Sequence, residues 1–223
     1  MKIKAAAIWM LFSLIGGASI SRAEDVHPIT HRQIAQVMGS GGADWLVRAE
    51  REAEEHSDEA LNALKIPKGA VVADVGAGVG YFTWRLAERV GPEGIVYGED
   101  IQQEMLNKLK KNIEDHHLNN VRIVLGKIDD PKLPKDSLDL VLLVDVYHEF
   151  SEPEKMLDRI RESLKPNGRL VLLEYRGEDP NVPIRPEHKM TLKQVQAEVQ
   201  PEGFKFEQSI ETLPQQHIIV FRK

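Results

Sequence analysis

VVADVGAGVGYF, residues 71–82, is the stretch that decides how this chain folds. Apolar residues run into three glycines at alternate positions, Gly76, Gly78 and Gly80, and a helical pattern follows in which Phe82, Leu86 and Val90 recur every four residues. A strand that turns through glycines into a helix lets a nucleotide-like ligand come close to the backbone, at the carboxyl end of the strand where open α/β sheets bind their ligands.

Downstream, short apolar runs alternate with helical patterns, which argues for a parallel sheet with crossover helices. The runs are GIVYGED (94–100), VRIVLG (121–126), LDLVLLVDV (138–146) and RLVLLEYR (169–176). LDLVLLVDV is almost unbroken in its apolarity, as a central strand covered on both faces requires. Helices are expected through Met105, Leu106, Leu109 and Ile113, through Met156, Leu157, Ile160 and Leu164, and near TLKQVQAEV (191–199). Ser151 and Glu154 fit a capping box for the second of these, and KPNG (165–168) should stop it. FKFEQSIETL (204–213) and HIIVFRK (217–223) lie close enough to pair as an antiparallel hairpin. The fold class is α/β: seven strands, mostly parallel, with a C-terminal antiparallel hairpin.

Ahead of the sheet, HRQIAQVM (31–38) and DWLVRAEREAEEH (44–56) read as helices separated by GSGGA, with Ser57 as the cap of DEALNAL (58–64). The first 23 residues carry Lys2 and Lys4, an apolar stretch and a small-residue site at Ser21–Ala23, the layout of a secretory signal peptide, with an uncleaved membrane anchor as the alternative. The expected organisation is therefore a signal peptide (1–23), a helical extension (24–64) and one catalytic-size domain (65–223). Export, to the periplasm, follows from that reading, without stable membrane insertion once the peptide is cleaved. Cleavage would remove Lys2, Lys4 and Arg22 and no acid, taking the formal charge from −6 to −9. Acidity of this order argues against nucleic acid as a partner, because that affinity rests on neutralised phosphates. Cysteine is absent, which excludes disulfides, thiolate-bound metals and a cysteine nucleophile.

The glycine string narrows the ligand. A dinucleotide fingerprint needs G-x-G-x-x-G, and Tyr81 stands where its last glycine belongs. Asp74 precedes Gly76, giving D-x-G-x-G-x-G, and Asp100 closes the second strand twenty residues past Gly80, where a carboxylate accepts from both hydroxyls of a ribose. Asp100 alone could equally cap the helix beginning at Gln102. On these motifs, together with SLDLVLLVDVYHEFSEPEKMLDRIRESLKPNGRLVLLEYR, the chain resembles the class I S-adenosylmethionine-dependent methyltransferases with their Rossmann-like fold. The similarity is to the group that includes ubiquinone and menaquinone methylases, and it spans Leu64 to Lys223, about seven tenths of the chain.

The resemblance implies S-adenosylmethionine as cofactor. Asp74, Gly76, Gly78 and Gly80 would surround its methionine part, and Asp100 and Ile101 its ribose and adenine. The adenine contact after the third strand falls in GKIDDP, where Asp129 is chosen over Ile128 and Asp130. Asp145 would lie near the sulfonium or amino group, an electrostatically sensible partner for a cation.

VDVYHEF (144–150) leaves the central strand where cofactor and acceptor should meet. His148 is the candidate general base by type, since imidazole titrates near neutrality, with Tyr147 beside it as a candidate of lower rank; either could instead serve as a hydrogen-bonding or wall residue. Around RGEDPNVPIRPEHKM (176–190), Tyr175 just before it and Arg176, Arg185, His188 and Lys189 within it could form a lid or an anion pocket, or a solvated connector. Asp44, Trp45 and Arg48 could cover the site or form a solvated helix face. His116 and His117 lack a third ligand, and no metal site is expected; support for a convergent acid set of the catechol-methylating kind is weak.

The partner expected is a small-molecule methyl acceptor. The Asn/Asp-Pro-Pro-aromatic motif of nucleobase and glutamine N-methylases is missing, and the cysteines on which arsenic methylation depends in related enzymes are absent. Two other classes remain: an exported S-adenosylmethionine-binding or sensing protein without turnover, and a nicotinamide-dependent oxidoreductase.

Overall fold

The structure, a computed structural model, describes residues 26–223; the expected signal peptide lies outside them. Seven strands form one sheet: β1 (Val71–Val75), β2 (Ile95–Asp100), β3 (Val121–Leu125), β4 (Leu138–Val144), β5 (Leu164–Tyr175), β6 (Lys205–Ile210) and β7 (Gln216–Arg222). Their spatial order is β3-β2-β1-β4-β5-β7-β6. β1 to β5 run parallel, and β7 is antiparallel to both β5 and β6, so the C-terminal hairpin expected from the sequence is inserted with its last strand inside the sheet.

Among the described residues six α-helices accompany the sheet: α1 (Arg51–Glu55), α2 (Ser57–Ala63), α3 (Tyr81–Val90), α4 (Gln103–Asp115), α5 (Pro153–Ser163) and α6 (Leu192–Val199). Leu61, Leu86 and Val90 pack with Leu142 and Val220 on one face of the sheet; Leu157, Ile160, Val195 and Val199 pack with Leu143 and Phe221 on the other. Leu140 to Leu143 of β4 are all buried, which is why that strand carries no polar alternation. The order reverses between β1 and β4, whose loops leave toward opposite faces and open a crevice. Among the described residues no helix is long and apolar enough to cross a membrane.

Several local expectations are corrected. HRQIAQVM is an extended strap, not a helix. Its backbone donors are taken by the site instead: Ala35 N–H donates to the His148 carbonyl at 3.0 Å and Met38 N–H to Glu149 Oε1 at 3.3 Å. DWLVRAEREAEEH breaks into a 3-10 turn at Trp45–Val47 and the short α1. Ser57 is the first residue of α2 rather than its cap; its hydroxyl is buried and unpartnered, and His56 before it is left-handed. α5 starts at Pro153 without a side-chain cap; proline in the first turn supplies a preset φ and has no N–H of its own to leave unpaired. KPNG belongs to β5, which begins immediately after α5 and shifts register against β4 between Leu138 and Leu140. The one capping box in the described helices is Thr191 with Gln194 at α6.

Candidate active site

A cavity of about 430 Å³ lies over the carboxyl ends of β1, β2 and β4, roofed by the strap and by the loop after β5. Gly76 is what lets the β1 and β4 ends meet beneath it. Its φ is +71°, and a Cβ there would stand 2.4 Å from Val146 Cγ2. Gly78 also lines the cavity, whereas Gly80 does not: it faces α4, where a Cβ would meet Leu109 at 2.2 Å. Asp74 is buried below the loop and accepts from the Thr83 hydroxyl at 2.6 Å. Burial raises its carboxyl to about 6 against that hydrogen bond.

The loop amides are already engaged by acids. Gly78 N–H donates to Asp100 Oδ2 at 2.9 Å and Gly76 N–H to Glu99 Oε2 at 3.3 Å. Asp100 Oδ1 accepts from Gln102 N–H at 2.8 Å, so this carboxylate both faces the cavity and turns the chain into α4. Glu99, which the sequence reading passed over, is 1% exposed, and its Oε1 is buried with no partner. It fits only because Gly126 opposite has no side chain; a Cβ there would lie 1.8 Å from Oε1. Burial first, then the charges of Asp100 and Asp74, push Glu99 up to about 8.

That shift has a measurable sign. Folded Glu99 holds its proton up to about pH 8, whereas the unfolded chain releases it near the ordinary value of 4.5. The folded state therefore binds more protons across that window, and stability falls as pH rises through it, by at most about 1.4 kcal/mol per pH unit for one group. Denaturant melts of the ligand-free Glu99→Gln variant should lack this one-proton slope and lie above wild type at pH 8. Parallel pH profiles for the two proteins would contradict the assignment.

Asp145 follows the last residue of β4 with φ +50°. Its Oδ2 accepts from Gln216 Nε2 at 2.7 Å, and its Oδ1 is buried without a partner. Burial, followed by the Glu55 and Glu174 carboxylates, raises it well above the usual range. The buried cation at this end is Arg51 of α1, held by Glu55 at 2.8 Å, and it too lines the cavity. Arg51 escaped the sequence reading because its stretch looked like a solvated helix face.

At the far end, His148 Nδ1 lies 2.6 Å from Glu174 Oε2, and His148 Nε2 lies 3.1 Å from His188 Nδ1. Burial opposes a charge on His148, but the adjoining Glu174 outweighs it and raises the ring. Glu149 stands beside them, raised by burial to about 7 despite His148. Tyr147 is not part of the cavity wall; it is fully buried with its hydroxyl 3.5 Å from His27 Nε2. Ile101 and Ile128 line the cavity, while Asp129 lies in a smaller surface pocket with Lys132 and Lys155.

Tyr175 at the end of β5, and Arg185 and His188 from the loop after it, reach the cavity. Arg176 pairs with Glu211, and Lys189 donates to the Val182 carbonyl, so these two hold the loop itself. Trp45 also lines the cavity, with the Arg48 guanidinium 3.9 Å from its ring centre. His116 stacks on Trp84 at 4.3 Å, and neither it nor His117 reaches the cavity.

The sequence profile of the methyltransferase domain matches residues 66–218. An arsenite methyltransferase from Halobacterium salinarum is 31% identical over 104 residues, covering 47% of this chain and 27% of that protein. A demethylmenaquinone methyltransferase from Listeria welshimeri is 28% identical over 125 residues, covering 56% of this chain and 52% of that protein. The chain thus spans about half, or less, of the curated relatives it matches. A SAM-dependent methyltransferase from Aquifex aeolicus has the same fold: TM-score 0.79, 23% identity, 83% of this chain and 99% of that one.

The cofactor of this fold family is S-adenosylmethionine, and the residues fit it. Two buried carboxylate oxygens without partners, Glu99 Oε1 and Asp145 Oδ1, border a cavity whose acids outnumber its cations. A ribose diol, an ammonium and a sulfonium supply the donors and positive charge that such oxygens lack. A pyrophosphate would instead meet loop amides already committed to Glu99 and Asp100. The matched profile spans the whole sheet from β1 into β7, and the chain belongs to the class I S-adenosylmethionine-dependent methyltransferase family.

Proposed function

We propose that the protein transfers a methyl group from S-adenosylmethionine to a small molecule bound between the glycine loop and the His148 end of the cavity. The observation that carries this reading is the continuity of one cavity from Gly76, Glu99 and Asp100 to His148, Glu149 and His188. When bound, the cofactor supplies a methyl group already activated by its positive sulfur. What the chain has to add is alignment, which contributes up to ~7–11 kcal/mol in well-oriented reactions.

In this reading Asp100 accepts from the ribose, with Glu99 as a second acceptor, and Ile101 and Ile128 flank the adenine. Asp145 and Arg51 serve the charged methionine end. The strap and the loop after β5 exclude water from the acceptor, which rests against Ile184 and Phe150 with its polar edge at His148, Glu149 and His188. Glu174 fixes the His148 ring by holding Nδ1. The acids disfavour phosphorylated acceptors, and the absence of cysteine disfavours arsenite, the substrate class in the name of the Halobacterium relative. A hydroxylated small molecule of moderate apolarity fits best, in keeping with the quinone chemistry named for the Listeria relative.

Methyl-labelled cofactor, incubated with the purified protein and a panel of phenols, enols and hydroquinones, tests the reading. Label in an organic product with one-for-one formation of S-adenosylhomocysteine is the expected result. Tight cofactor binding with no label moved to any class would favour the sensing protein over the enzyme.

A further inference from the structure

We propose that His148, Glu149 and His188 form a binding site for one divalent transition-metal ion at the acceptor end of the cavity. Their ligand atoms all lie within 4.8 Å of one another. The two imidazoles meet edge to face, with ring centres 5.1 Å apart at 82°, and His148 Nε2 lies 3.1 Å from His188 Nδ1, a direct contact that an ion would replace. Two nitrogens on one tetrahedral ion, at bond lengths of ~2.0–2.1 Å, stand ~3.4 Å apart, which this pair reaches with a small adjustment. Glu149 is the third donor: its carboxylate is occupied only by the Met38 amide, at 3.3 Å.

Glu174 completes the arrangement. Its Oε2, 2.6 Å from His148 Nδ1, is placed to accept from Nδ1–H, the position that a carboxylate behind a metal-bound imidazole takes when Nε2 is the ligand atom. Two imidazoles and one carboxylate select a first-row transition ion such as Zn²⁺ over Mg²⁺ or Ca²⁺, which prefer all-oxygen shells. Three protein donors also leave a coordination position, and all three residues line the cavity. The ion site stands on geometry alone. Its use, holding the oxygen of a hydroxylated acceptor, rests on the methyl-transfer reading above.

Tag-free protein stripped with chelator and titrated calorimetrically with Zn²⁺ is expected to bind one ion per chain at micromolar concentration or tighter, and Co²⁺ to give the visible absorption of a low-coordinate site. His188→Ala, on a partly exposed loop, should abolish this binding while its melting curve stays cooperative. Glu174→Gln should weaken it by about tenfold to a hundredfold. Replacing His116 and His117 together by Ala should leave it unchanged. No binding to wild type, or equal binding by His188→Ala, overturns the site. S-adenosylmethionine titrated in parallel separates the two proposals: cofactor bound without zinc removes the ion site only, and zinc bound without cofactor removes the methyl-transfer reading only.

Discussion

Changing Asp100 to Ala is expected to weaken S-adenosylmethionine binding by roughly ten- to hundred-and-fifty-fold for each ribose hydrogen bond lost, taking ~1.5–3 kcal/mol per bond to a charged acceptor. Asp100 is the carboxylate best placed for this, at the end of β2 with one oxygen on the Gly78 amide and the other on the Gln102 amide. Each oxygen keeps a lone pair for a hydroxyl, and the surrounding backbone fixes its aim. Removing it also frees two amides at the cavity edge, where water or ligand can take them, so the melting temperature should move far less than the affinity. Asp100→Asn, which keeps the shape and one acceptor oxygen, should fall between wild type and Asp100→Ala in a calorimetric titration. Equal affinities across the three proteins would remove Asp100 from the ribose.

The second large effect concerns the strap. Glu198 of α6, fully buried, takes both Nε and Nη2 of Arg32 at 3.0–3.1 Å, the Thr30 hydroxyl, and His27 Nε2 at 3.3 Å. Arg32 also donates to the His148 carbonyl at 3.0 Å, so one carboxylate ties the roof of the cavity to the strand end beneath it. Glu198→Ala would leave a guanidinium 7% exposed without its counter-ion. Breaking a buried pair from one side costs about 3–5 kcal/mol. For a domain of this size that lowers Tm by on the order of 10 °C. Hydrogen exchange at the Ala35 amide, which bonds His148, should accelerate with it. An unchanged Tm would mean that the strap opens independently of the sheet.

How much of this was legible depended on whether the cause was local. The succession of strands and helices, the glycine loop and Asp100 follow from patterns within thirty residues, because β1, its turn and β2 form one supersecondary unit; the spatial order of the strands comes only with the structure. The strap was misread as a helix because Ile34, Val37 and Met38 carry a helical spacing, while the partners that hold it extended, His148 and Glu149, are over a hundred residues away. Glu174 sits in an apolar run that reads only as strand; what gives it a role is the pairing of β4 with β5, which brings it to His148. Glu99 has no signal in the alternation of a strand. Alternation sends it and Asp100 to opposite faces, yet at a strand end both reach the cavity. Asp129 and Ile128 differ by one position in a loop, where no periodicity fixes which side chain faces inward.

A crystal structure grown with S-adenosylmethionine tests the central claim most directly. The account predicts the ribose hydroxyls on Asp100, the methionine end over Gly76 and Gly78 toward Asp145, and the methyl group directed at the His148 end. A crevice left vacant at saturating cofactor, or a dinucleotide whose pyrophosphate displaces Glu99 and Asp100 from the loop amides, would contradict it.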